Sequence, residues 1–172
     1  FVDGPFGSNL KSIHFIDNGD VYVVESGFIT TGKFLDKEFK SISKEHFETI
    51  SRSQCIEGDV IIAKIGANFG MGAILPKLDK LSVISGNSLK ITLNDKKINK
   101  QYFVHLLSVY KKRGGFIEIV NASAQPALSL GGLNLLKMPL PSLNEQNSII
   151  EFLNKEIEII EDTISTIEKE IA

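Results

Sequence analysis

A chain of 172 residues, 42% hydrophobic and 8% aromatic, can bury a core and has the size of one globular domain with an appendage. No stretch approaches the roughly eighteen consecutive apolar residues of a membrane helix, and nothing at the start has the order of a signal peptide, so a cytoplasmic location without membrane contact is expected. The lone Cys55 excludes an internal disulfide, the scattered His14, His46 and His105 argue against a metal site, and a net charge of −2 lacks the basic excess usual in nucleic-acid binders. That average hides a division. From Glu151 to Ala172 seven acids face two lysines, whereas the first 150 residues hold seventeen bases against fourteen acids. A mildly basic body with an acidic tail permits DNA contact by the body without requiring it. The sequence starts at Phe1 rather than at a methionine, as a processed chain or a piece of a longer one would.

Along the chain, Val21 to Ser26 (VYVVES), Asp59 to Gly66 (DVIIAKIG), Gly72 to Pro76 (GAILP) and Ser88 to Leu93 (SLKITL) read as short β-branched strands bounded by Gly, Pro and Asn. Ser43 can cap a short helix through Ile50. Asn99 can cap another that carries Tyr102, Phe103, Leu106, Leu107 and Tyr110 on one face and ends near Arg113, Gly114 and Gly115. Strands outnumber helices without regular alternation, which predicts an α+β fold: a small mixed β-sheet with peripheral helices, followed by a long C-terminal helix. The division expected is residues 1–140 for the body and 141–172 for the helix.

The C-terminal helix carries the clearest pattern. Ile150, Leu153, Ile157, Ile160, Ile164, Ile167 and Ile171 recur at steps of three and four, the seam of a coiled coil and the expected dimerisation surface. Ser142-Leu143-Asn144-Glu145 forms a capping box at its start. A helix from Leu143 to Ala172 would be about 43 Å long at about 1.5 Å per residue. Ile149, Phe152 and Ile159 widen the apolar face beyond a two-stranded seam, so packing on the body or on a third element is also expected. The competing arrangement is a terminal helix folded back onto its own domain.

Two glycine-rich stretches invite functional readings. Gly27 to Lys33 (GFITTGK) has the spacing of a phosphate loop, but Phe34 stands where a Ser or Thr must reach magnesium, and Phe28 and Ile29 crowd the amides a phosphate would need. Gly66 to Gly72 (GANFGMG) has the wrong spacing for a dinucleotide loop and reads as a tight connection between two strands, with glycines at positive φ. The sequence holds no GxSxG, no HExxH, no Cys/His nucleophile setting and no Asn-Pro-Pro-aromatic motif. Glu57 and Asp59 read as turn residues rather than general acids.

Taken together, DGPFGS (Asp3 to Ser8), DVIIAKIG with its glycine loop, SAQPALSL (Ser123 to Leu130) and MPLPSLNEQNSII (Met138 to Ile150) resemble, in order and spacing, the specificity subunit of Type I restriction-modification systems. The resemblance covers nearly the whole chain. It implies that residues 1–140 are a target recognition domain reading one part of a split sequence in double-stranded DNA, and residues 141–172 a conserved spacer helix. A complete subunit of that family has two such units and this chain has one, so it resembles a half-subunit that either forms a homodimer or pairs with a second recognition unit through the helix. The expected partners are methylation (M) and restriction (R) subunits. S-adenosylmethionine and ATP would be bound by those partners, with no cofactor, metal or catalysis in this chain. Pro139 and Pro141 would stiffen the step into the helix, since proline fixes φ.

For the DNA contacts, Lys11, Lys33, Arg52, Lys64, Lys112 and Arg113 are the candidate phosphate or guanine partners, and Asn68, Asn87, Ser88 and Gln125 the candidates for base-edge hydrogen bonds. Each can equally be a solvated charge or a turn residue. The alternatives for the whole chain are a structural adaptor that oligomerises through its helix and binds protein, and an enzyme built around Gly27 to Lys33.

Overall fold

The structure, a computed structural model, describes residues 1–30, 32–117, 119–120 and 127–171. Its strands are short and mostly buried on both faces, which is possible only if each sheet is covered twice. Strands β1 (Val2–Asp3), β5 (Val60–Ala63), β6 (Gly72–Ile74) and β8 (Ser88–Ile91) form one antiparallel sheet in the order β1-β8-β5-β6. A second sheet, β3-β2-β7-β4, is built from β2 (Val21–Val24), β3 (Lys40–Ile42), β4 (Gln54–Cys55) and β7 (Leu81–Ile84). Its central pair β2 and β7 is parallel, with Val21 opposite Leu81 and Val24 opposite Ile84.

The period of two along each strand divides the side chains between cores. Ile61 and Ala63 of β5 pack with Val24, Cys55 and Ile84 between the sheets, whereas Val60 and Ile62 turn outward. That outer face of the first sheet meets Phe103, Val104 and Leu107 of helix α2 (Lys100–Lys112). On the far side, Val21, Val23, Ile42 and Val83 cover Phe47 and Ile50 of helix α1 (Lys44–Ile50). The order is helix, sheet, sheet, helix, an α+β arrangement as expected, with the strands shared between two small sheets rather than one.

The caps fall where the sequence puts them. Ser43 Oγ accepts from the His46 amide at 3.2 Å, Asn99 Oδ1 from the Tyr102 amide at 3.1 Å, and Ser142 Oγ from the Glu145 amide at 3.3 Å. A short helix α3 (Leu130–Leu133), capped by Ser129, precedes the long helix α4 (Leu143–Ile171). Asp59 is buried as a structural turn residue: its carboxylate accepts from the Ile56 amide at 3.0 Å, the Lys90 ammonium at 3.0 Å and the Thr92 hydroxyl. Burial pushes the Cys55 thiol up to about 11, so it stays a protonated, unreactive core group. Phe28 and Ile29, which argue against a phosphate loop, are both buried.

The first turns of α4 belong to the body. Gln146 is completely buried: its Oε1 accepts from the Asn99 amide at 2.8 Å, while Nε2 donates to the carbonyls of Lys97 at 3.1 Å and Pro141 at 2.9 Å. Asn99 Nδ2 donates to Asn147 Oδ1 at 2.9 Å, and the Tyr102 hydroxyl donates to the Pro139 carbonyl at 3.2 Å. The Pro139–Pro141 step is thus tied to the start of α2 from two sides. Replacing Gln146 by Ala strands three polar groups at once, and we expect it to lower the unfolding free energy by about 2–4 kcal/mol. A fall in the urea midpoint at unchanged m-value checks this.

Candidate nucleic-acid interface

Strand register brings most of the candidate residues to one end of the double sheet. The parallel strands β2 and β7 both finish there, leading into Glu25–Phe28 and Ser85–Asn87. Ala63 at the end of β5 pairs with Ser88 at the start of β8, and the Gly4 amide donates to the Ser88 carbonyl at 3.1 Å, so the loops after β5 and β1 leave from that same end. A cleft of about 380 Å³ between Gly7, Leu10, Gly27, Gly86 and their neighbours lies among these loops. The C-terminus of α2 reaches them too, since the Lys111 ammonium donates to the Ala67 carbonyl and lies 5.2 Å from the Phe69 ring centre.

Lys64 is the node of this end. Its amide donates to the Asn87 carbonyl at 2.9 Å, its carbonyl accepts from the Leu128 amide at 3.0 Å, and its ammonium bridges both oxygens of Asp3 at 2.8 Å. Asn68, Asn87, Lys112 and Arg113 are exposed. Arg52 is exposed at the rim, beside Ser53, whose hydroxyl donates to the Asp3 carbonyl at 3.4 Å. Lys11 lies further round the flank, where His46 Nε2 donates to the Asn9 carbonyl at 2.8 Å and the His46 ring packs tilted against His14, centroids 3.9 Å apart. Lys33 is on the α2 side, 2.8 Å from Glu161 of α4 in a pair so exposed that it contributes little stability. Gln125, with the rest of Ser123–Pro126, lies outside the described residues.

The structure corrects two of the expected positions. Ser88 is fully buried, its hydroxyl sharing a hydrogen bond with Ser85 Oγ at 3.2 Å, and cannot reach a base edge; the neighbouring Asn87 occupies the exposed turn. Ile150 is buried in the body, so it is withdrawn from the seam that a partner could touch. Leu153 is half-buried, and from Ile157 to Ile171 the seam isoleucines are 36% to 80% exposed. The helix is therefore neither folded back nor free along its whole length. Its first three turns pack on the body and the remainder carries the stripe outward. Phe152 and Ile159, 62% and 51% exposed, lie on one flank of the stripe, about 100–120° round the helix from its centre at about 100° per residue.

Two participants escape a reading of the sequence. Lys111 precedes the nominated Lys112 and Arg113, yet it is the residue whose ammonium holds the glycine loop, and burial lowers its pKa. Asp3 is the acid that holds Lys64. Only the KKR run hinted at the first, and nothing local at the second.

Comparison with known proteins fits this architecture. Residues 7–171 match the Type I restriction modification DNA specificity domain, and the chain belongs to that family. It is 29% identical over 127 residues, 72% of its length, to the putative type I restriction enzyme MjaX specificity subunit of Methanocaldococcus jannaschii, and 25% identical over 164 residues, 93% of its length, to the MjaVIII specificity subunit of that organism. The matched regions are 29% and 38% of those proteins, so this chain spans about a third of the relatives' length. Among solved structures, the HsdS subunit from Thermoanaerobacter tengcongensis superposes with a TM-score of 0.62 at 19% identity, over 83% of this chain and 37% of that one. A chain from a study of complex assembly and conformational transition in the type I R-M system gives 0.67 at 13% identity, over 94% and 36%. The family is described as one of DNA specificity domains.

If Lys111 clamps the loop, Lys111→Met, which keeps the apolar stem, removes about 1 kcal/mol of local stability. Amide exchange at Phe69 and Met71, which donate to the Gly66 and Asn68 carbonyls, is then expected to quicken about fivefold, measured by NMR.

Proposed function

We propose that this chain is a non-catalytic recognition unit that reads one part of a bipartite double-stranded DNA target with the loop end of its double sheet, and that α4 is the spacer. The observation that carries the reading is the gathering of Lys64, Asn68, Asn87, Lys111, Lys112 and Arg113 at one end of a layered body whose two outer sheet faces are covered by helices. Long cations meet phosphates there, and short amides reach base edges.

The exposed stripe from Ile157 to Ile171 gives the second half of the function. An antiparallel partner, whether a second copy or a second recognition unit, would cover it and place another reading end at the far side of a twofold axis. At about 43 Å, α4 is long enough for half-sites about 34–36 Å apart, and two identical copies would require a palindromic split target. Methylation and restriction subunits would then supply the chemistry, with S-adenosylmethionine and ATP bound on them. The body is only mildly basic, so part of the phosphate contact falls to those partners.

Selection from a random duplex library by the protein assembled with its modification partner tests this. Enrichment of a split sequence is expected, and an adaptor that binds only protein would enrich none. The double variant Lys112→Ala/Arg113→Ala is expected to weaken binding to all duplexes alike, and to flatten the dependence of log K on log salt by about 0.9 for each phosphate the protein no longer neutralises.

A further inference from the structure

Asn68 sits at the tip of the connection between β5 and β6, and that tip is rigid. Gly66 and Gly70 flank it at φ of 82° and 81°, the left-handed region that lets the chain reverse, and any side chain on Gly70 would run into Phe116. The Phe69 amide donates to the Gly66 carbonyl at 3.0 Å and the Met71 amide to the Asn68 carbonyl at 2.9 Å, while Lys111 holds the Ala67 carbonyl from outside. The Asn68 side chain is therefore presented on a fixed loop at the reading end.

Its amide is also fixed in orientation. Asn68 Nδ2 lies 3.0 Å from the carbonyl oxygen of Ile29, a residue with no exposed surface. A carbonyl can only accept, so the amide must turn its nitrogen inward, and flipping it would set two acceptors against each other. Oδ1 then faces outward from an exposed residue, and among the described residues no donor reaches it.

We propose that Asn68 is a specificity-determining residue that presents Oδ1 as an acceptor to the major groove and selects an amino base. Adenine N6 and cytosine N4 are the donors on major-groove edges, whereas guanine and thymine offer only acceptors or a methyl group there. Asn68 thus favours adenine or cytosine over guanine or thymine on the strand it faces. The inference rests on the DNA-reading role proposed above and adds to it which residue reads and which chemical feature it reads.

Library selection is run with the full-length protein assembled with its modification partner, unsubstituted and as Asn68→Ala. The enriched site is then remade with purine for each adenine or pyrimidin-2-one for each cytosine, which deletes one exocyclic amine at a time. We expect one position where the unsubstituted protein prefers an amino base about tenfold and loses that preference with the amine. Asn68→Ala should flatten that position alone and be indifferent to the deletion. Identical base preferences in the two proteins would overturn the proposal while leaving the DNA-reading role intact. So would a flat response of the unsubstituted protein to every amine deletion, which needs no variant to fold. If the unsubstituted complex enriches no sequence, the reading role fails and this proposal fails with it.

Discussion

A single buried amide fixes the relation between the body and its helix. Gln146 has one acceptor and two donor hydrogens, and all three are used on backbone groups of segments that converge at the start of α4: Asn99, Lys97 and Pro141. The Gln146 side chain itself has no exposed surface, so its own polar atoms have no water to turn to if these bonds break. The helix axis can tilt only by breaking several of these bonds together, so a hinge that proline stiffens along the chain is also locked across it. Beyond Leu153 the described residues are all exposed, and the weak, exposed Lys33–Glu161 pair adds little to this anchorage, so the distal helix takes its direction mainly from this point.

The same logic of closure shapes the loop end of the double sheet. Two thin sheets share one core and each carries a helix on its outer face, so among the described residues the free loops between strands become the place where polar side chains collect. There the cations are held by local partners, Lys64 by Asp3 and Lys111 by the Ala67 carbonyl. The acidic C-terminal segment complements this arrangement. With seven acids against two lysines it would be repelled by any polyanion, while its isoleucine stripe stays exposed.

Helices α1, α2 and α4 were legible because their signals are local: Ser43, Asn99 and Ser142 sit one residue before each start, and the apolar steps of α4 run unbroken to Ile171, whereas the single-turn α3 leaves no periodic signal. The four β-branched strands were legible for the same reason. The strands Val2–Asp3, Lys40–Ile42, Gln54–Cys55 and Leu81–Ile84 were not, because two to four residues make little or no period and owe their conformation to partners far along the chain. The parallel pairing of β2 with β7, which creates the second sheet, joins segments about sixty residues apart and leaves no trace in either. At the site, residue type singled out useful cations and amides but not exposure. Ser88 and Asn87 are neighbours, yet the alternation of β8 turns one into the core and leaves the other on the turn. The periodicity that marks Ile150 as seam cannot say where the body stops covering it.

The central claim is that α4 is a rod held in one direction, and a pulsed dipolar distance measurement addresses it most directly. Spin labels placed at Lys77 and Lys169, both substituted by Cys, would report through a body whose own Cys55 is buried. Labelled protein diluted with unlabelled chain isolates the distance within one molecule. A single narrow distribution is the predicted result. A broad or multi-peaked one would show a helix that swings on its joint, and would contradict the account.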